Sequence, residues 1–289
     1  MQFLIFFLCF LSATHSIYGA VSNKEEEPRA VDNFALPTAQ QITPLVSFGQ
    51  TNIDKGQTQL FVHADYFKGK KKSTSDIVPY VIYGITNNLT ATLNVPFTPL
   101  LRDGSFRSRG EEDVLLQLEY IFYTKNTYTS VDQATIVADV TFPTGSSKKK
   151  PPTGFGAPSY FIGGTYNHMT TDWFVFTSHG ALLPTAHRET RFGEQFLYQF
   201  GFGGHIPSPK EWIYAWMMEF DGTYSWKNKI QSLRDPNSGG NVILMTPSLW
   251  ASSERVVMQF GVGVPVVQHL FGDQRKYHYS LILNVGYTF

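Results

Sequence analysis

Beyond position 9 the chain of 289 residues has no cysteine. The one cysteine, Cys9, sits in an apolar run from Phe3 to Leu11 that reads as the core of a secretion signal, too short to span a bilayer. Leu8 before it is not the small residue a lipoprotein needs. Once that signal is removed, no disulfide and no thiolate chemistry remain. A long hydrophobic stretch is missing too. After Leu11 no run reaches the roughly 18 apolar residues of a membrane-spanning helix. Net charge is also absent, since 23 Lys and Arg balance 23 Asp and Glu. That balance removes the bulk electrostatic reason to expect nucleic acid as a partner. No zinc-ligand spacing, Gly-rich phosphate loop or calcium loop appears, so neither a metal nor another cofactor is expected.

What the chain has is aromatics, at 15%, and 24 glycines, a mixture suited to strands with lipid-facing girdles. The signal's first residues carry no Lys or Arg. Cleavage after Ala20 would put bulky Tyr18 at the −3 position, and Ala20-Val21-Ser22 is the better match. The domain reading is therefore 1–22 signal peptide, 23–56 periplasmic amino-terminal segment and 57–289 barrel. The middle segment, with Glu25-Glu26-Glu27, is either a disordered lead or a plug folded into the bore.

The dominant pattern is period-two alternation. At the end of the chain, Tyr277, Tyr279, Leu281, Leu283, Val285, Tyr287 and Phe289 form one set. His278, Ser280, Ile282, Asn284, Gly286 and Thr288 lie between them, so a strand places the two sets on opposite faces. Similar sets run through Val114–Phe122, Ala134–Phe142, Leu89–Phe97, Phe196–Phe202, Trp212–Phe220 and Val256–Val264. Each is about ten residues, the length that crosses a bilayer at a tilt. Twelve strands are expected, near 57–68, 75–85, 89–98, 112–124, 130–144, 157–168, 172–184, 193–205, 211–226, 240–250, 254–266 and 276–289. Strands 172–184 and 240–250 alternate too poorly for their facing to be read. Short connections alternate with long ones at 69–74, 99–111, 145–156, 185–192, 227–239 and 267–275.

This predicts an all-β, antiparallel up-and-down transmembrane barrel of about twelve strands in a bacterial outer membrane, with both termini periplasmic. A soluble sandwich or lipocalin-like barrel shares the alternation. The signal, the aromatic strand ends, the loop alternation and the terminal Tyr287 and Phe289 separate the two. Those last residues resemble the signal read by the barrel assembly machinery.

Prolines recur at matching places: Asn94-Val95-Pro96-Phe97, Thr141-Phe142-Pro143-Thr144-Gly145, Leu182-Leu183-Pro184-Thr185 and Gly263-Val264-Pro265-Val266 in ascending strands. Descending strands carry Val78-Pro79-Tyr80, Ala157-Pro158-Ser159 and Thr246-Pro247-Ser248. With Ile42-Thr43-Pro44 and Gly56-Gln57-Thr58-Gln59, this pattern resembles the outer-membrane family named for the meta-pathway of phenol degradation. The resemblance implies a channel or transporter for small, often aromatic or apolar solutes.

By strand parity, the lumen would be lined by His63, Asp65, Asp113, Gln117, Glu119, Asp139, Gln199, Glu219, Asp221, Arg255 and His278. Phe61, Phe67, Tyr123, Phe161 and Ile282 share that face. Carboxylates outnumber cations there, which favours cations or neutral solutes. A bland alternative is that these charges pair and only line a wet bore. Two other classes stay open: a barrel enzyme acting on lipid and a structural or adhesin-like barrel. Against the enzyme, Ser178 and His179 are adjacent and must point to opposite faces. The long connections are basic, with Lys70, Lys71, Lys72, Lys148, Lys149 and Lys150 as the clearest clusters. These would meet the lipopolysaccharide of an outer leaflet, at about 1 kcal/mol per cation.

Overall fold

The computed structural model describes residue 34, residues 36–208 and residues 211–289. The expected signal segment 1–22 and the acidic run Glu25-Glu26-Glu27 lie outside the described residues. Among the described residues, one antiparallel sheet of fourteen segments closes on itself. Two consecutive pairs of those segments are single strands broken by short irregularities, which makes a twelve-stranded barrel.

The strands are β1 Thr58–Gly69, β2 Lys72–Thr86, β3 Leu89–Asn94 continuing as Phe97–Asp103, and β4 Phe106–Glu111 continuing as Val114–Asn126. They continue with β5 Ser130–Phe142, β6 Ser159–Thr170, β7 Trp173–Pro184 and β8 Gln195–Ile206. The last four are β9 Ile213–Ser225, β10 Gly240–Ser252, β11 Val256–Leu270 and β12 Tyr277–Thr288. β1 pairs with β2 on one side and with β12 on the other, from Gln59 opposite Thr288 to Gly69 opposite Tyr277. That closure removes every free edge, as a bilayer requires.

Each strand puts apolar side chains outside. Leu60, Leu93, Ile162, Trp216, Leu249 and Leu283 are all exposed, Ile162 and Leu249 to 59% and 60%. A continuous apolar belt of this kind, drawn from every strand, has no place on a water-soluble surface and identifies a transmembrane barrel. The two strands of unreadable parity now have their facing. Phe174, Phe176 and Ser178 of β7 are buried inside, as are Thr246, Ser248 and Trp250 of β10.

Prolines leave their mark on the ladder. β10 and β11 pair from Gly240 to Met245 and again from Ser248, skipping Thr246-Pro247, because proline has no N–H to give. β3 is broken at Val95-Pro96, and β4 opposite it at Glu112-Asp113.

Several connections differ from the sequence expectation. The expected long loops 69–74 and 99–111 are tight two-residue turns, Lys70-Lys71 between Gly69 and Lys72 and Gly104-Ser105 between Asp103 and Phe106. The strands on either side extend past the belt instead. Polar Lys, Ser, Thr and Arg in those stretches suggested loops, yet a barrel strand protruding into water tolerates polar residues on both faces. The same barrel end carries 143–158, 185–194, 226–239 and 271–276, with a small sheet of Thr190–Arg191, Lys229–Ile230 and Leu233–Arg234 in its loops. We call this the loop end. The opposite turn end holds the start of β1 and the close of β12.

The occupied lumen as candidate functional site

Inside the barrel lies the segment that precedes β1. It enters at the turn end, rises to mid-barrel, turns, and returns to the turn end to begin β1. At its base Gln40 Nε2 donates to the carbonyls of Glu211 (2.8 Å) and Ser252 (3.3 Å), and Gln59 Nε2 donates to Ala39 O at 2.8 Å. Thr38 Oγ1 donates to Asp54 Oδ1 at 3.1 Å across the two limbs. Ala39, Ile42 and Ile53 pack with Phe61, Ile82, Phe174, Met217 and Trp250 into an apolar cluster. The burial of these side chains anchors the strap by the ordinary hydrophobic term.

The tip is held by charge. Glu219 of β9 is fully buried and accepts the backbone N–H groups of Leu45 (2.8 Å), Val46 (3.2 Å) and Ser47 (3.0 Å). From β4, Glu119 accepts the N–H groups of Gln50 (2.6 Å) and Thr51 (3.0 Å). Ser47 Oγ donates to Asp221 Oδ1 at 2.6 Å, and Gln199 Oε1 accepts the N–H of Phe48 at 3.1 Å. A buried carboxylate is costly unless its lone pairs are filled. Here the strap's own amides fill them. The turn at the tip uses Gly49 and Gln50, both at positive φ (80° and 62°). A side chain on Gly49 would meet Thr165 Cγ2 at 2.5 Å, so tight quarters and backbone conformation both select glycine.

The other residues expected in the lumen fall into distinct places. His63 and Asp65 face inward on β1, 3.7 Å apart. Gln117 and Asp139 also face inward, and Asp139 Oδ1 has no hydrogen-bond partner. Asp113 sits in the break of β4 and accepts the N–H groups of Gly145 (2.9 Å) and Phe155 (2.7 Å), fixing the 143–158 loop. Arg255 does not reach the lumen. It lies exposed in the turn between β10 and β11, one residue short of the strand whose parity it was given. His278 does not reach the lumen either. Lys68 pairs with Tyr279 and Gly69 with Tyr277, so His278 is the extra residue of a bulge and is exposed. That bulge turns Tyr277 inward, where its hydroxyl meets Thr74 Oγ1 at 2.8 Å. Tyr123 is displaced in the same way, by a bulge between Ile121 and Tyr123, and is exposed. Lys72, expected among the outward lysines, instead lays its ammonium over the Tyr277 ring at 4.3 Å. Lys70, Lys71, Lys148, Lys149 and Lys150 are exposed at the loop end.

Sequence reasoning missed Asp76 and Glu112, both hydrogen-bonded by Thr98 Oγ1, with Asp76 directly opposite Asp65 in register. Glu112 belongs to a strand break, and nothing in the alternation marks it. Ser178 faces inward and donates to Phe48 O, whereas His179 faces outward beside Thr177. The two therefore form no catalytic pair.

No family model and no curated protein matches this chain. Solved structures do. An outer membrane channel from Pseudomonas putida F1 aligns with a TM-score of 0.71 at 14% identity, covering 84% of this chain and 100% of that one. The NanC porin aligns with a TM-score of 0.50 at 12% identity, over 79% of this chain and 98% of that one. At such identities the likeness establishes a shared fold. The fold is that of outer-membrane channel barrels.

Proposed function

We propose that this protein is an outer-membrane channel for small solutes, with its termini in the periplasm and its bore occupied by its own amino-terminal strap. The observation that carries this reading is the pairing of an apolar outer belt with a polar inner wall in a closed twelve-stranded barrel. The solved channels of the same fold support the reading, and so does the proline pattern that resembles the phenol meta-pathway family. That resemblance points to small apolar or aromatic solutes.

Conduction then requires the strap to shift. Its grip is apolar at the base and mixed at the tip, where Leu45 is buried and Phe48 meets Phe161 edge to face at 4.7 Å beside the polar bonds. The exposed lysines of the loop end stand where an anionic lipopolysaccharide leaflet would lie, and the strand ending at Tyr287 and Phe289 would be read by the assembly machinery.

Planar-bilayer conductance tests the channel. Full-length protein is expected to show small or rare openings, and a chain lacking residues 23–50 large and persistent ones. If neither conducts although both are folded, the channel reading is wrong.

A further inference from the structure

The small sheet in the loops carries an unusual row of charge. Arg191 is directly opposite Lys229, and Lys229 is directly opposite Arg234. Like charges facing each other across antiparallel strands repel. Among the described residues, Lys229 and Arg234 make no ion pair and no side-chain hydrogen bond. Arg191 has one carboxylate, Glu194 at 2.7 Å, and that pair is exposed.

The row lines a cleft of about 530 Å³, which Lys227 also borders. The same cleft is lined by the rings of Phe192, Tyr224, Trp226 and Phe271 and by the carboxylate of Glu194 that pairs with Arg191. Tyr224 belongs to the outside of the barrel, and Trp226 stands between this cleft and the cavity at the loop-end mouth of the lumen. Along β9 the odd residues from Ile213 to Asp221 are buried inside, so Tyr224 faces out. Its partner Asn241 in β10 also faces out, where it accepts a hydrogen bond from Tyr198 Oη at 2.6 Å. Tyr224 and Trp226 meet edge to face at 4.9 Å, and the Lys227 ammonium lies 5.3 Å above Phe271. The cleft therefore opens toward the membrane, at the height where the apolar belt ends. It joins a cationic row to a ring-lined wall continuous with exposed Phe196 below.

We infer that this cleft binds the phosphorylated headgroup of a lipid in the leaflet that surrounds the loop end. An anion between Arg191, Lys229 and Arg234 relieves their mutual repulsion. Arginine forks match phosphate oxygens in pairs. The adjoining rings cover the first part of an acyl chain or a sugar face, which a free anion would not use. Lipid is favoured over a solute in transit because the cleft faces away from the lumen. The inference rests on the proposed orientation, with the loop end outside the cell.

Native mass spectrometry of the detergent-purified barrel with diphosphoryl lipid A tests it. A one-to-one adduct is expected. The double variant Lys229→Gln/Arg234→Gln should bind on the order of twentyfold more weakly, at about fivefold for each cation lost. The variant Lys55→Gln/Lys125→Gln, which removes equal charge at the turn end, should bind like the parent. Retained heat-modifiable migration shows that each variant is folded. Equal binding by the Lys229/Arg234 variant overturns the inference. So does displacement of the lipid by millimolar inorganic phosphate, which would make the cleft a free-anion site. Orientation is read separately, by labelling Ser232→Cys on intact cells with a membrane-impermeant maleimide. Labelling only after the membrane is opened refutes the orientation and the inference together. Labelling of intact cells with lost lipid selectivity refutes the inference alone.

Discussion

At the scale of single residues, the lumen shows how a buried carboxylate becomes a receptor for backbone. Glu219 takes three amide N–H groups from Leu45, Val46 and Ser47. Hydrogen bonds to a charged acceptor contribute roughly 1.5–3 kcal/mol each, and losing a fully paired one costs more than its mean. Glu219→Gln removes the charge and turns one acceptor into a donor that faces amide donors. The strap should loosen by about 2–3 kcal/mol, which raises the strap-out population on the order of fiftyfold. Single-channel open probability reads this directly. An unchanged open probability, in a variant that folds normally, would mean the tip contacts do not hold the channel shut. Parity arithmetic read Glu219 and Glu119 well because both sit in regular strand. It misread His278 and Tyr123 because one extra residue at a bulge reverses facing, and no residue type at those positions announces the bulge.

At the scale of elements, the strap is one loop with two kinds of attachment. Its base shares the apolar cluster of the turn end, and its tip hangs from β4, β8 and β9 by polar bonds. Ser47 and Asp221 stand in direct side-chain contact at 2.6 Å between those elements. Replacing both by cysteine should give a disulfide that pins the tip to β9. Oxidised protein is then expected to stay closed, and reducing agent should restore openings to at least the parent level. Free conduction by the oxidised, fully cross-linked protein would show that solute passes without the strap leaving. The same scale explains the misplaced loops. Stretches 69–74 and 99–111 look like loops by composition, but the two-residue turns at Lys70-Lys71 and Gly104-Ser105 let the strands run on. Gly104, the first of its two turn residues, takes the positive φ that a type II′ hairpin requires, and Lys71, the second of its pair, also lies at positive φ.

At the scale of the whole molecule, charge and closure make two predictions. Once the strap is displaced, Glu219 and Glu119 join Asp65, Asp76, Glu112 and Asp139 as inward carboxylates that act on solute, against few inward cations. The open state should prefer cations, seen as the sign of the reversal potential in a salt gradient. A clear anion preference would refute this assignment of the inner wall. Closure depends on β12, whose Thr288 pairs with Gln59 and whose Phe289 N–H donates to Thr58 O at 3.0 Å. Deleting Phe289 removes that bond and the exposed terminal ring beside Tyr287. Outer-membrane abundance of heat-modifiable protein should fall several-fold, and normal abundance would sink the proposed role in assembly.

The sequence alone determined the all-β class, a strand count of about twelve and the facing of most strands, because a period-two pattern is a local property that survives any arrangement of neighbours. It also exposed Glu119, Gln199, Glu219 and Asp221 as inward polar residues. It left residues 23–56 open between a loose lead and a plug, since nothing in their composition encodes where they go. Tertiary structure alone decided that residues 38–54 fill the bore, because their bonds run to residues up to 212 positions away. It decided likewise the bulges that turned His278 out and Tyr277 in, and the cation row Arg191, Lys229 and Arg234, whose members meet only when separate loops pair. Facing follows from the chain's own pleat, but who fills the space inside a barrel depends on which distant groups still lack a partner.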